Sequence, residues 1–360
     1  MKAHTVVAIE DKMLELSIRR IIDKPVGYLT ITDLESITRL SAPRSGIYSL
    51  KGIENMVNLE EVFLWHNFIR DVTPLAKLTK LKSLNLSRNP FQDLAPLSNI
   101  TTLTELRLND NQFNDITSLS KIPNLTSLCI GSAHLTNIEP LSALTSLQEL
   151  ELVYNKLSDL NPLSKLTSLT ILKISNCGTR DLTSLATLSN IEELELTGND
   201  IYDLSPLSTL TNLKTLDLWQ NEIDDLTPVE SLINLTQLNL HDNQIKDLKP
   251  LSDLHKLTML DLRNNNISDI SPLSTLINLE ELDLRENHIS DLKPLENHKA
   301  LTSLDLSINN ISDISPLITN KHLNKNTQIS LERNPLFSPE NMRDIETLIN
   351  RGIDVTYYSY

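Results

Sequence analysis

Asparagine recurs every 22 residues in this chain, and that spacing limits the fold more than any other feature. It stands at positions 67, 89, 111, 155, 199, 221, 243, 265, 287 and 309, with Ala133 and Cys177 at the two remaining points of the grid. Twelve repeats therefore follow one another without an insertion. A thirteenth is three residues out of register, with Ile329, Leu331 and Asn334. Calling the grid residue n, apolar side chains are expected at n−8, n−5, n−3, n+2, n+5, n+8 and n+11. Of these 84 positions 81 are apolar, the exceptions being Thr179, His298 and Asn320. A fixed period of about 20–50 residues is the mark of a repeat architecture.

Each repeat reads as one coil. Residues n−5 and n−3 alternate with polar neighbours, which is the period of a strand with one buried face. Asparagine at n turns the chain inward, and its amide can bond backbone groups that the bend leaves unpaired, so stacked coils make a ladder. Ser/Thr-Pro-Leu at n+6 to n+8, as in Ser205-Pro206-Leu207, starts a short helical or 3₁₀ turn, where proline suits the first position. Asp at n+4, as in Asp203, Asp247 and Asp269, is a turn residue. Seven buried aliphatics per coil, at ~1.5–3 kcal/mol each, offset the ordering entropy only when neighbouring coils cover them. The 70 Leu and 35 Asn are the imprint of this unit. Only 7 Gly are present, which excludes collagen and flexible low-complexity sequence and argues against a glycine-lined phosphate loop.

The motif Leu-x-x-Leu-x-Leu-x-x-Asn-x-Leu, seen around Leu260-Asp261-Leu262-Arg263-Asn264-Asn265-Asn266, resembles the 22-residue class of leucine-rich repeats. Within that class the chain is most similar to bacterial internalin-type proteins. A second relative of the same period is the intracellular regulatory subunit of type 1 protein phosphatase. The resemblance implies an α/β solenoid, a curved right-handed arc with a concave parallel sheet and convex 3₁₀ or short helical turns. Residues 1–56 form the N-terminal cap with a degenerate first repeat, 57–337 the repeats, and 338–360 the C-terminal cap, in one continuous domain. Asp11 to Asp23 reads as an amphipathic helix with Leu14, Ile18, Ile21 and Ile22 inward, Thr32 as the cap of a second turn, and Ser41 to Ile53 as the degenerate coil. Ser338-Pro339-Glu340 opens a helix to about Asn350, Gly352 stops it, and Ile353 to Tyr358 is a last strand. This closing cap stands where internalins carry an immunoglobulin-like segment, which departs from the invasin pattern.

The net charge is −15. Without a basic footprint neither nucleic acid nor an anionic membrane is an expected partner. No apolar run is long enough to span a bilayer and no export signal is legible, so the cytoplasm is the expected location, the alternative being secretion or surface display after loss of a signal. Two cysteines, Cys129 and Cys177, give no disulfide framework or metal site, and Cys177 takes the ladder position facing inward. Scattered histidines and exposed, evenly spaced carboxylates supply no pocket that could tune a catalytic group, so no enzyme, metal or cofactor is expected.

The outward positions n−6, n−4, n−2 and n−1 then become the candidate binding face. They hold 14 acidic and 5 basic residues among 48. From Glu195 onward the n−4 column is nearly a carboxylate stripe, with Asp217, Asp261, Asp283 and Asp305, preceded by Lys173. It reads either as a dock for a basic protein surface or as common filler of the Leu-Asp-Leu strand, with Arg263 and Arg285 pairing locally to Asp261, Asp283 and Glu286. Trp65 and Trp219, the only tryptophans, both fall at n−2. Tryptophan on an open face is enriched in binding hot spots. Trp65 has Phe63 and His66 beside it and can equally cover the edge of the N-terminal cap, while Trp219 has His241 next in its column. Seven repeats separate the two, about 33 Å at the ~4.8 Å strand spacing, too far for one small ligand. Tyr154 adds a weaker exposed spot. The expectation is a monomeric, non-enzymatic module that binds a protein bearing a basic patch. Its alternative is an intracellular adaptor or enzyme-regulating subunit like that of the phosphatase.

Overall fold

The computed structural model describes residues 5–357. They form two compact units, one ending at Thr179 and one beginning at Arg180. In the first, seven three-residue strands run parallel in chain order, from Arg39–Ser41 to Ile171–Lys173. In the second, eight do so, from Glu193–Glu195 to Asp354–Thr356. Register follows the repeat: Leu84 pairs with Leu106, and Leu216 with Leu238 and Leu238 with Leu260.

Opposite the strands lie 3₁₀ turns such as Thr73–Lys77, Ser205–Thr209 and Ser271–Thr275. The residue at n+4, aspartate in eleven of the twelve repeats and Asn137 in the other, starts the turn. Asp203 Oδ1 accepts the Ser205 N–H at 2.8 Å, and Asp269 Oδ1 accepts that of Ser271 at 2.8 Å. Hydroxyl and N–H donors from Thr117, Thr183 and Thr227 hold the Asp115, Asp181 and Asp225 carboxyls below the usual range. Proline follows because its missing N–H costs nothing at a turn start.

All 84 inward positions are buried, the three polar exceptions among them. Asn320 is satisfied by donating to the Leu295 and His298 carbonyls, both at 2.9 Å. His298 is fully buried, and its ring nitrogens face the Leu273 and Leu295 carbonyls without closing a hydrogen bond of normal geometry.

The asparagine ladder forms as its chemistry dictates. Asn265 Nδ2 donates to Leu262 O in its own coil and to Leu240 O in the preceding one, both at 3.0 Å. Its Oδ1 accepts Ile245 N–H, again from the preceding coil, at 3.0 Å. Cys177 keeps one rung, its thiol donating to Leu152 O at 3.0 Å. One feature is invisible in the periodicity: residue n−1 has positive φ in all twelve repeats, from His66 to Ile308, and only Gly198 among them is glycine. Ladder bonds hold this left-handed turn, as where Asp242 N–H meets Arg263 O at 3.0 Å.

At the N-terminus, α1 (Lys12–Ile21) buries Leu14 and Ile18. Ile21 instead faces water, being 43% exposed, because it lies at the end of the helix beyond the coil it covers. Asp11 caps α1 and also accepts the N–H groups of Tyr48 and Ser49, which ties the helix to the degenerate coil. Burial pushes its carboxyl up, but the four backbone donors outweigh that and hold it low. The second helix, α2 (Ile31–Glu35), is capped by Thr30, not Thr32. Thr30 forms a reciprocal box with Asp33 three residues on, a geometry closed to Thr32.

In the last regular repeat the turn widens into α3 (Ser315–Thr319), and the three extra residues fall between it and the next strand, Gln328–Ser330. The cap helix α4 (Pro339–Asn350) starts at Ser338, as expected, and its C-cap Arg351 donates to Ile318 O at 2.8 Å. The final strand covers Asp354–Thr356, and Tyr358, expected to extend it, lies outside the described residues.

Candidate protein-binding face

In the first unit Phe63 and Trp65 are partly covered by two arginines that precede the regular repeats. The Arg39 guanidinium lies 5.1 Å over the Phe63 ring and that of Arg44 4.8 Å over Trp65. Both rings are half-buried, and His66 beside them is exposed. Tyr154 is exposed on the left-handed turn, and Lys173 is half-buried at the end of its strand. Cys129, although in an outward column, is buried, and burial and Glu151 push its thiol up to about 11. Burial likewise raises the Cys177 thiol to about 11. Neither is poised for redox or nucleophilic chemistry.

The second unit carries the more pronounced arrangement. Glu195 and Asp217 are direct strand neighbours, as are Asp261, Asp283 and Asp305 in turn. Each of these aspartates has a local task. The Oδ1 atoms of Asp217, Asp261, Asp283 and Asp305 accept the N–H two residues on, at 2.8–3.0 Å. Asn239 does the same for His241 at 3.1 Å. The column therefore favours short side chains that close this turn, so the stripe has a structural cause as well as a charge. Burial, followed by its neighbours Asp261 and Asp305, raises Asp283 to about 6. These carboxylates line a shallow depression of about 280 Å³ with Met259, Glu281, Gln328 and Ser330. Among the described residues no group of His, Cys, Asp or Glu is placed to hold a metal ion.

Trp219 is 39% exposed and held from two directions. Its ring stacks on His241 with centroids 5.4 Å apart and planes 8° from parallel. Its Nε1–H donates to Asp242 Oδ2 at 3.1 Å. Asp242 is itself gripped by Asn264. His241 is buried, and Arg263 Nε donates to its Nε2 at 3.0 Å. Burial and the Arg263 charge lower the His241 pKa, so the ring is neutral at physiological pH. Here one expectation is corrected. Arg285 pairs with Glu286 at 3.1 Å, but Arg263 forms no ion pair with Asp261 or Asp283 among the described residues. Its guanidinium reaches back one coil to His241, whose ring lies next to it in the same column. Sequence reasoning missed Asp242 and Asn264. The signal was their place at n−1 of the two coils that follow Trp219.

Leucine-rich repeat family patterns match residues 57–99, 189–231, 233–275 and 277–319 as paired repeats, and 99–116 as a single one. An internalin, InlF of Listeria monocytogenes, is 36% identical over 87% of this chain and 93% of its own, with a TM-score of 0.84. The chain is a leucine-rich repeat protein of the internalin type. A leucine-rich repeat protein of Leptospira interrogans shares the fold at 24% identity, covering 90% of this chain and 97% of that one, with a TM-score of 0.75. The functional domain of InlJ from Listeria monocytogenes, which includes a cysteine ladder, does so at 20% identity, 92% and 83% coverage and a TM-score of 0.64. Comparison with curated proteins gives no match. Internalin-like leucine-rich repeats are protein-interaction scaffolds, and this chain is one of them. Among the described residues of this internalin-like chain, no helix is long and apolar enough to cross a membrane.

Proposed function

We propose that this internalin-like chain is a non-enzymatic recognition module. It binds a protein with a basic patch on the outward strand face of its second unit, with Trp219 at the centre of the contact. The observation that carries this reading is the fixed, exposed indole of Trp219, stacked on His241 and bonded to Asp242 amid an excess of carboxylates. A rigid aromatic loses little entropy on binding and offers a large contact area. Phe63 and Trp65 form a lesser contact, because arginines of the same chain already cover part of them. The kinship with internalin favours the secreted or surface alternative over the cytoplasm.

The test is an affinity measurement on the partner captured by the immobilised chain. Trp219→Ala should weaken binding by ~2 kcal/mol or more, as expected for a hot spot. Trp65→Ala should cost less. Affinity should also fall steeply with salt, since rim carboxylates act through a screened field. Unchanged affinity in Trp219→Ala sinks the reading.

A further inference from the structure

Among the described residues three outward or exposed rings carry an arginine of the same chain. Arg39 lies 5.1 Å from the centre of Phe63, Arg44 4.8 Å from that of Trp65, and Arg180 5.6 Å from that of Tyr202. Trp219 is different. His241 stacks on it, Asp242 takes its N–H, and the ring is still 39% exposed. The cations near it in its column are committed elsewhere, Arg263 to His241 and Arg285 to Glu286. Asp217, two residues before it, takes the Thr197 hydroxyl at 2.9 Å and the Trp219 N–H at 3.0 Å on one oxygen, Oδ1. Its Oδ2 is in no hydrogen bond or ion pair among the described residues. Glu195 is its strand neighbour. Over the six regular repeats of this unit, the outward columns hold nine acidic and two basic residues.

We infer that Trp219 is a receptor for an arginine side chain of the partner. Its guanidinium stacks on the exposed indole and pairs with Asp217 Oδ2, in the field of Glu195. Arginine fits better than lysine for two reasons. Its planar, weakly hydrated head lies flat on an aromatic face at little desolvation cost. It also points N–H donors sideways from that plane, toward a carboxylate beside the ring. This deepens the reading of the second unit as the binding face and rests on it.

The probes are three fluorescein-labelled peptides of one Gly/Ser framework, carrying four arginines, four lysines or four citrullines. Their affinity for the full chain is measured by anisotropy at low salt. The arginine peptide should bind about fivefold tighter than the lysine peptide, and the citrulline peptide should bind weakest, having lost the charge. In Trp219→Leu the arginine-to-lysine ratio should fall to about one while the lysine affinity holds, which also shows that the variant is folded. Asp217→Asn should weaken the arginine peptide more than the lysine peptide. Equal binding of arginine and lysine peptides to the wild type overturns the inference, as does a ratio that survives in Trp219→Leu or citrulline binding as tight as arginine. The two readings fail separately. A natural partner that needs Trp219 while the peptide ratio stays at one keeps the binding face and removes the arginine. A ratio that collapses in Trp219→Leu while the natural partner ignores Trp219→Ala does the reverse.

Discussion

Asp283→Asn should make the protein more stable at neutral pH, although it removes a polar charge from the surface. Burial presses most on the Asp283 charge, and repulsion from Asp261 and Asp305 on the adjoining strands adds to it. Its pKa rises from an ordinary 3.8 to about 6. The folded state therefore holds this proton more tightly than the unfolded state. As pH climbs from 4 to 6 the group ionises at the expense of folding, and its own contribution to wild-type stability declines through that window. The full shift corresponds to ~3 kcal/mol, at about 1.36 kcal/mol per pH unit. The carboxyl is partly open to water, so screening reduces the expected effect to ~1–2 kcal/mol. Asparagine has the same shape and keeps the Oδ1 bond to Arg285 N–H, as Asn239 does for His241 and Asn85 for Ser87. Urea unfolding followed by circular dichroism at pH 4, 5, 6 and 7.5 measures the difference. The gain should be absent at pH 4, grow through pH 5 and 6, and be complete at pH 7.5. A variant no more stable than wild type at pH 7.5, or equally stabilised at pH 4, refutes the reasoning.

His298→Leu should remove an acid sensitivity. Burial keeps this imidazole neutral in the folded state, so the unfolded state binds the proton more tightly and stability drops as pH falls below ~6.5, a slope the leucine variant should lack in thermal melts. Ile308→Asn should raise the melting temperature, with a gain of ~0.5–1 kcal/mol, because a β-branched residue is held at a φ of 56°. A lower melting temperature would mean that Ile308 contributes more through packing than it loses in strain. Asn265→Ala takes the partner from one buried N–H and three carbonyls and should cost ~2–4 kcal/mol, whereas Asn266→Ala just outside the ladder should change stability by under ~0.5 kcal/mol.

Sequence reasoning reached the core and the ladder because both rest on identity at fixed spacing. Leucine at n−5 and asparagine at n each have one physical task, repeated in eleven and ten of the twelve coils, so chance cannot imitate them. It reached Trp219 because tryptophan is rare here. It did not reach what fixes Trp219. Stacking on His241 and the bond to Asp242 join side chains 22 and 23 residues apart, and they depend on rotamers that periodicity does not encode. The left-handed n−1 column left no trace because neighbouring backbone bonds, rather than glycine, hold it there. Arg263 was assigned to aspartates by proximity, but those aspartates already serve the backbone and His241 competes for the guanidinium. The cap falls at Thr30 instead of Thr32 because only Thr30 stands three residues before Asp33, where the reciprocal bonds can close.

The ladder also gives these coils an order of completion. Each asparagine reaches backward: Asn243 serves Leu218 O and Ile223 N–H, and Asn309 serves Leu284 O and Ile289 N–H, all in the coil before its own. A coil emerging from a ribosome is therefore unfinished until the next 22 residues have followed it. The last regular coil waits for Asn334, whose amide closes on Leu306 O and Ile311 N–H. Growth in this molecule is vectorial: a cut at the C-terminal end leaves backbone carbonyls and N–H groups of the last coil open, while a cut at the N-terminal end leaves an asparagine amide, such as that of Asn243, without the backbone groups it serves.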